Sequence, residues 1–400
     1  MSAAPLTAPT REARLARAAV AALFLTNGAV FFNVVPRYPQ IKADLDVSNA
    51  VFGTALAGYP IGALLAGLLA GAAIRRFRSA RVAAFGIVVT TLATLVIPFA
   101  PNWIALGGAL FVVGALDAVV DVAQNAHGLR VQRLYRRSIL NSLHGVWSIG
   151  AVLGGLMGSA AAGLGIPLAV HLSISATLFS IVALVAYRFL LTGPEDAERP
   201  AEAEDDGRAN HRRSFTGSAV RMLAALGVLA ACGALVEDAG ASWGALYLSG
   251  DLRTDAATAG LAVVALQVAM TVGRLTGDRV VDRFGQRAVV RAGGALAAVG
   301  MGAALAVPSV ATALAGFALA GLGVATLVPA AMHTADELPG LPRGTGLTIV
   351  SWLLRGGFLL SPPLVGFVAD LTSLRVGLLS VVLAGVITVV LAHVLTNRSR

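Results

Sequence analysis

"ADLDVSNAVFGTALAG" (residues 43–58) and "GDLRTDAATAGLAVVA" (residues 250–265) decide how this chain is built. Laid together at an offset of 207, Asp44-Leu45 meets Asp251-Leu252 and Gly53 meets Gly260. The same offset sets Phe77 of "RRFRSARV" on Phe284 of "DRFGQRAV". One offset that aligns separate stretches is the mark of an internal duplication, so the chain reads as two copies of one unit.

The text around these stretches says what the unit is. Of 400 residues 57% are hydrophobic and 13% charged, and the mean hydropathy is +0.79. Too few charges remain to cover a water-soluble molecule of this length. Gly is abundant, at 45 residues, without a three-residue period. Gly, Ala and Leu in apolar runs are what packed membrane helices use for close approach. A helix needs about 20 apolar residues to cross a bilayer. Candidate spans fall at 18–37, 50–74, 82–99, 103–126, 139–163 and 167–190, then at 219–248, 257–276, 288–307, 309–333, 345–369 and 374–395. The apolar run that begins at Ala18 is too long for a cleaved leader, so it is read as a retained first span.

Charge tests that count. Basic residues gather on the cytoplasmic side of membrane proteins. Twelve spans put 24 of the 30 basic residues on the side that holds both termini, and a miscount would scramble that bias. Only Arg37, Lys42, Arg253 and Arg375 fall opposite, while Arg274 and Arg355 lie within spans. Both termini are therefore expected in the cytoplasm. Six spans per copy start both copies from one side, a parallel duplication with a binding site between the halves. The expected units are a six-helix bundle over 1–190, a cytoplasmic linker over 191–218 and a second six-helix bundle over 219–400. The linker is acidic, then basic, with Pro and Gly, and is read as a solvated tether without chemistry.

At this point the residues resemble the major facilitator superfamily. "GDRVVDRFGQR" (277–287) is similar to its loop signature, G-x-x-x-D-R-x-G-R-R, through Asp282, Arg283, Gly285 and Arg287. In the first half "GAAIRRFRSAR" (71–81) is degraded: Arg75, followed by Arg76, stands at the Asp position and Arg78 at the Gly position. "GALDAVVDVAQNAHG" (114–128), "NSLHGVWSIGAVLGG" (141–155), "EDAGASWGALYL" (237–248) and "GGFLLSPPLVGFVAD" (356–370) look like one bacterial inner-membrane branch, distantly similar to sugar permeases. The resemblance implies an all-α membrane protein of twelve helices in two six-helix bundles. It implies a cavity lined by the first, fourth, seventh and tenth helices, and secondary active transport of a small polar solute by alternating access. The drug–proton antiporter pattern is absent: there is no Arg in 103–126 and no Pro in the fifth span. The eleventh span carries Arg355 where this branch usually has Tyr.

Ionisable groups within spans cost about 2.5–3.5 kcal/mol each at the helix centre on insertion scales, so each needs a wet cavity or a partner. Asp117, Asp121 and Asn125 repeat every four residues on one face of the fourth helix. Asp117 is expected in the cavity. Asp121 and Asn125 are expected to anchor the Arg75–Arg81 loop. Glu237 and Asp238 are adjacent, about 100° apart on their helix, so they cannot both face the cavity squarely. Glu237 is favoured as the titrating site. Arg355 cannot be neutral, and Glu237 or Asp238 is its expected resident partner. A substrate anion or Asp117 is the alternative. His144 and Trp147 share a face. Asn27 and Asn33 are candidate substrate contacts. Gly150, Gly154 and Gly158 form a small-residue row suited to helix packing. Pro329 and Pro362-Pro363 are expected to bend their helices.

Other classes of function find no support. The Arg clusters lie between apolar runs rather than on one soluble face, which argues against nucleic acid. Cys232 is the sole cysteine, so no thiolate metal cluster is available. P-loop, HExxH and GxSxG motifs are absent, so neither an enzyme nor an ATP engine is expected. A monomer is expected, whose partners are a small-molecule substrate, protons and the lipid bilayer, with no cofactor and no metal. A drug or metabolite exporter is the neighbouring alternative. A transporter-like membrane sensor is the alternative of another class.

Overall fold

The computed structural model describes residues 10–135, 139–193, 195, 217–338 and 345–395. Twelve helices among them are long and apolar enough to cross a membrane. They are α1 (Arg11–Leu45), α2 (Asn49–Gly67), α3 (Ser79–Phe99), α4 (Trp103–Tyr135), α5 (Ser142–Gly163), α6 (Leu168–Tyr187), α7 (Ala219–Gly250), α8 (Ala256–Phe284), α9 (Gln286–Ala306), α10 (Val310–Asp336), α11 (Thr345–Leu371) and α12 (Leu374–Val394). All twelve expected spans are present. Several run past the apolar text: α1 reaches Leu45 and α4 reaches Tyr135. The linker expected over 191–218 lies largely outside the described residues.

The duplication is visible in the backbone. Asp46 (φ 48°) and Arg253 (φ 54°) both adopt left-handed conformations, and they are 207 apart. Two residues later, Ser48 and Asp255 cap α2 and α8 by accepting from Val51 N and Thr258 N, each satisfying an N–H that the first turn leaves free. Arg78 (φ 74°, ψ 150°) and Gly285 (φ 82°, ψ 145°) make the same sharp connection between the second and third helices of their copies. Arg76 and Arg283 each lie over the following Phe ring, at 5.3 and 5.6 Å.

Within the first bundle α1 packs on α5 and α6, α4 on α2 and α3. Within the second, α7 packs on α11 and α8, α9 on α10 and α12. The glycine row of α5 works as expected. Any side chain at Gly150, Gly154 or Gly158 would strike the α1 backbone at Leu25, Ala29 or Asn33. Two seams join the bundles, α5 with α8 and α2 with α11, and the duplication interchanges them.

Two helix breaks accompany proline. In α1 a 3-10 turn at Val35–Arg37, with Pro36 inside it and Pro39 just after it, joins two α segments. In α10 the helix breaks at Ala325–Thr326, four and three residues before Pro329. This is where the proline ring would clash with a carbonyl and where an N–H is missing. Pro362 and Pro363 differ, because α11 runs unbroken from Thr345 to Leu371 across them.

Candidate functional site

An even number of crossings puts the first and last described residues on one side, here the terminal side. On the opposite side the bundles are shut. Asp370 of α11 accepts from Asn49 N (2.9 Å) and Ala50 N (2.8 Å) at the start of α2. A side chain at Gly53 would strike the Pro362 carbonyl. Along the other seam Gly163 meets Ala257, Gly260 meets Ser159, and Gly155 meets Val264. Tyr38, Phe52 and Trp243 stack edge to face across the join, at 5.7 and 6.3 Å between centroids. Toward the terminal side the second half of α10, Leu327–Asp336, packs on helices of its own bundle. There Arg274 and Arg355 are exposed within apolar helices, and His144 is exposed near the start of α5.

Counting about 1.5 Å per helical residue from the opposite end of each span places these groups in layers. Tyr59, Gln267, Asp238, Glu237 and Asp117 lie at about 15–21 Å, Arg355 at about 24 Å, and Asp121, Arg274 and His144 at about 27–29 Å.

The first bundle contributes one connected polar network. Asp117 accepts from Asn27 Nδ2 at 2.6 Å and from the Tyr59 hydroxyl at 2.8 Å. Asn27 Oδ1 in turn accepts from Trp147 Nε1 (3.0 Å) and Gln124 Nε2 (3.2 Å). Asp121 Oδ1 takes hydrogen bonds from Gln124 (3.4 Å) and Asn125 (3.1 Å). His144 Nε2 lies 3.1 Å from Asn125 Oδ1. Four helices, α1, α2, α4 and α5, therefore meet through amides, hydroxyl, indole and carboxylates. Among the described residues no cation forms an ion pair with Asp117 or Asp121.

The facing wall belongs to the second bundle. Glu237 Oε2 accepts from Arg274 Nη2 at 3.2 Å. Asp238 Oδ1 accepts from Ser242 Oγ at 3.2 Å. Glu237 thus looks toward α8, while Asp238 points to another side of α7, as their 100° separation requires. Arg355 reaches α2, with a guanidinium nitrogen 3.5 Å from where a Gly67 Cβ would stand, and lies within electrostatic range of Asp121.

Several expectations need correction. The partner of Glu237 is Arg274, not Arg355, because α7 packs its Glu237 face on α8. Arg355 makes no ion pair with Glu237 or Asp238 among the described residues. Asp121 and Asn125 do not reach the Arg75–Arg81 loop; their bonds run along α4 and to His144. Asn33 is 1% exposed and turned away from the cavity. Its amide donates to Ser175 Oγ at 2.7 Å and its oxygen lies 2.8 Å from His171 Nε2, joining α1 to α6. The linker is not wholly a free tether. Glu195 accepts from Ser79 N (2.8 Å) and Ser79 Oγ (3.0 Å) and sits 3.5 Å from Arg130, which is buried.

The loop residues stand apart from the network. Asp282 and Arg283 lie in the last turn of α8, Arg75 and Arg76 in the last turn of the short helix Ala70–Phe77 that follows α2, Gly285 forms the sharp turn, and Arg287 donates to Leu395 O at 2.9 Å. Sequence reasoning missed Tyr59 and Gln124, uncharged groups whose cost within a membrane is modest. Arg274 was noticed as an ionisable group within a span but given no partner.

Comparison with known proteins agrees with this architecture. The family model described as Major Facilitator Superfamily matches residues 20–237 and 226–400. Membrane protein MosC of Rhizobium meliloti is 32% identical over 374 residues, 94% of this chain and 88% of that protein. An uncharacterized transporter, y4wD, of Sinorhizobium fredii is 28% identical, across 89% of this chain and 92% of its own length. Among solved structures, the nucleoside transporter NupG superposes with a TM-score of 0.72 at 14% identity, covering 96% of this chain and 98% of that one. A bacterial homolog of the human lysosomal transporter Spinster, inward-facing and occupied, gives 0.71 at 18% identity, covering 98% and 97%. These structural likenesses speak for the fold alone. With a family model over nearly the whole chain and a relative above 30% identity, this protein belongs to the major facilitator superfamily of secondary transporters.

Proposed function

We propose that this transporter carries a small polar solute by alternating access and couples it to protons at Asp117, with Glu237 as the matching group of the second bundle. The observation that carries the reading is the Tyr59–Asp117–Asn27–Trp147 centre. It joins four helices of one bundle, has no resident cation among the described residues, and lies at about the same depth as Glu237 of the second bundle. Loading a proton on Asp117 removes one charge from the network without breaking an ion pair. Loading one on Glu237 releases Arg274 from its ion pair. Both events change how the bundles attract each other, which is what coupling by alternating access requires.

The basic residues on the terminal side support a cytoplasmic location for both termini, and a bacterial inner membrane as the site. With that orientation the described state is open inward. The bundle limits at 1–190 and 219–400, with a linker over 191–218, belong to the same proposal.

The test is transport in proteoliposomes under an imposed pH gradient, with solute exchange measured in parallel. Asp117→Asn and Glu237→Gln should lose gradient-driven accumulation and keep exchange. Gradient-driven accumulation unchanged in both variants would reject proton coupling at these residues. The same assay reads whether the solute moves in or out.

A further inference from the structure

Among the side chains of the second bundle that carry buried polar atoms without a hydrogen-bond partner among the described residues, Gln267 and Asp238 lie at mid-depth, and Gln267 is the one with both of its polar atoms unmet. Gln267 of α8 is 1% exposed, and neither its Nε2 nor its Oε1 has a hydrogen-bond partner. Asp238 Oδ2 is likewise buried and unpartnered. Ser361 of α11 stands beside Asp238, with its hydroxyl 3.5 Å from Leu235 O. Leaving such a group buried without a partner is destabilising, and proteins keep that cost mainly where a water or a ligand meets the group.

Their placement selects between packing and function. On α8, Gly260 and Val264 meet α5 at the seam between bundles. Gln267 continues that face while its neighbour Val268 is 42% exposed on the outer edge. Arg274 lies seven residues on, two turns along the same face, and reaches the cavity wall at Glu237. Gln267 is therefore on the inner edge of the seam. Asp238 lies within electrostatic range of Tyr38 of α1 and beside Ser361 of α11. Both groups sit at about 16–18 Å in depth, level with Tyr59 and just beyond Asp117. The mixed-charge layer, with Arg355, Arg274, Asp121 and His144, lies nearer the terminal side.

We propose that Gln267 and Asp238 form the closed end of the cavity and bind a neutral group of the substrate that both donates and accepts hydrogen bonds, a hydroxyl pair or a carboxamide. This rests on the transporter reading above and narrows its substrate class. The donor and acceptor inventory decides the chemistry. An amide side chain needs one partner of each kind, and a carboxylate needs a donor. An organic anion offers acceptors alone, leaving Gln267 Oε1 unmet and placing its charge near Asp238, Asp117 and Glu237. An ammonium offers donors alone and leaves Gln267 Nε2 unmet. A neutral hydroxylated or amide compound offers an acceptor to Gln267 Nε2 and donors to Gln267 Oε1 and Asp238 Oδ2.

The experiment is equilibrium binding by the full-length protein in detergent, read as stabilisation against thermal unfolding. The probes are a defined panel: hexoses and alditols, carboxamides, dicarboxylates, sugar phosphates and quaternary amines. No gradient is applied, so failure of proton coupling does not affect the readout. The expected result is that a neutral member of the panel stabilises most. Gln267→Leu, an apolar replacement of similar size, should then bind it about tenfold more weakly, and Gln267→Glu should bind it more weakly still. A charged compound as the strongest binder, no stabilisation by any neutral compound, or unchanged affinity in a folded Gln267→Leu would each overturn the proposal.

Discussion

Asn27 is the residue on which the candidate site turns. Its amide donates to Asp117, and its oxygen accepts from both Trp147 and Gln124. Replacing it by Ala removes one partner from each of three part-buried or buried groups. The expected loss is about 1–3 kcal/mol of stability, the cost of leaving a buried polar group unmade. Thermal unfolding in detergent should show Asn27→Ala melting well below the parent, and an unchanged midpoint would mean that water replaces the amide freely. The sequence made Asn27, Asp117, His144 and Trp147 legible for one reason: polar groups are conspicuous in apolar helices. It could not say which neighbours they meet. Helical periodicity gives the face a side chain occupies, but the helix opposite that face is set by tertiary packing. Hence Glu237 was matched to Arg355 when α8 supplies Arg274, and Asn33 was placed in the cavity when it joins α6.

At the scale of elements, the duplication was readable as text and reappears as backbone conformation. Arg78 is the informative exception. It holds the φ 74°, ψ 150° conformation that its counterpart Gly285 adopts without a Cβ. A side chain in that region stores about 1–3 kcal/mol of strain. Arg78→Gly should relieve it and raise the thermal midpoint, less the entropy that glycine adds to the unfolded chain. A lower midpoint would show that the arginine side chain contributes more than its backbone costs. Span number was legible because twelve apolar runs are separated by turns and charge. Span ends were not, because α1, α4 and α8 continue as helix beyond the apolar stretch. Glu195 was invisible as an anchor for the same kind of reason: an acid in a charged linker looks solvated until Ser79 and Arg130 are seen beside it.

For the molecule as a whole, the central claim is that the two bundles rock about the Asp117 network, exposing it to one side at a time. Both seams close the side opposite the termini, and the second half of α10 keeps to its own bundle on the other. The direct measurement is the distance between spin labels placed one per bundle in the liposome-reconstituted protein. Ala72 with Asp336 reports on the terminal side, and Asp46 with Thr372 on the opposite side; all four are exposed. Distances would be compared across pH and with the neutral and charged solutes described above. The account predicts opposed changes, with the 72–336 distance shortening in the conditions that lengthen 46–372. Distances that stay fixed in every condition, or that rise and fall together, would contradict it.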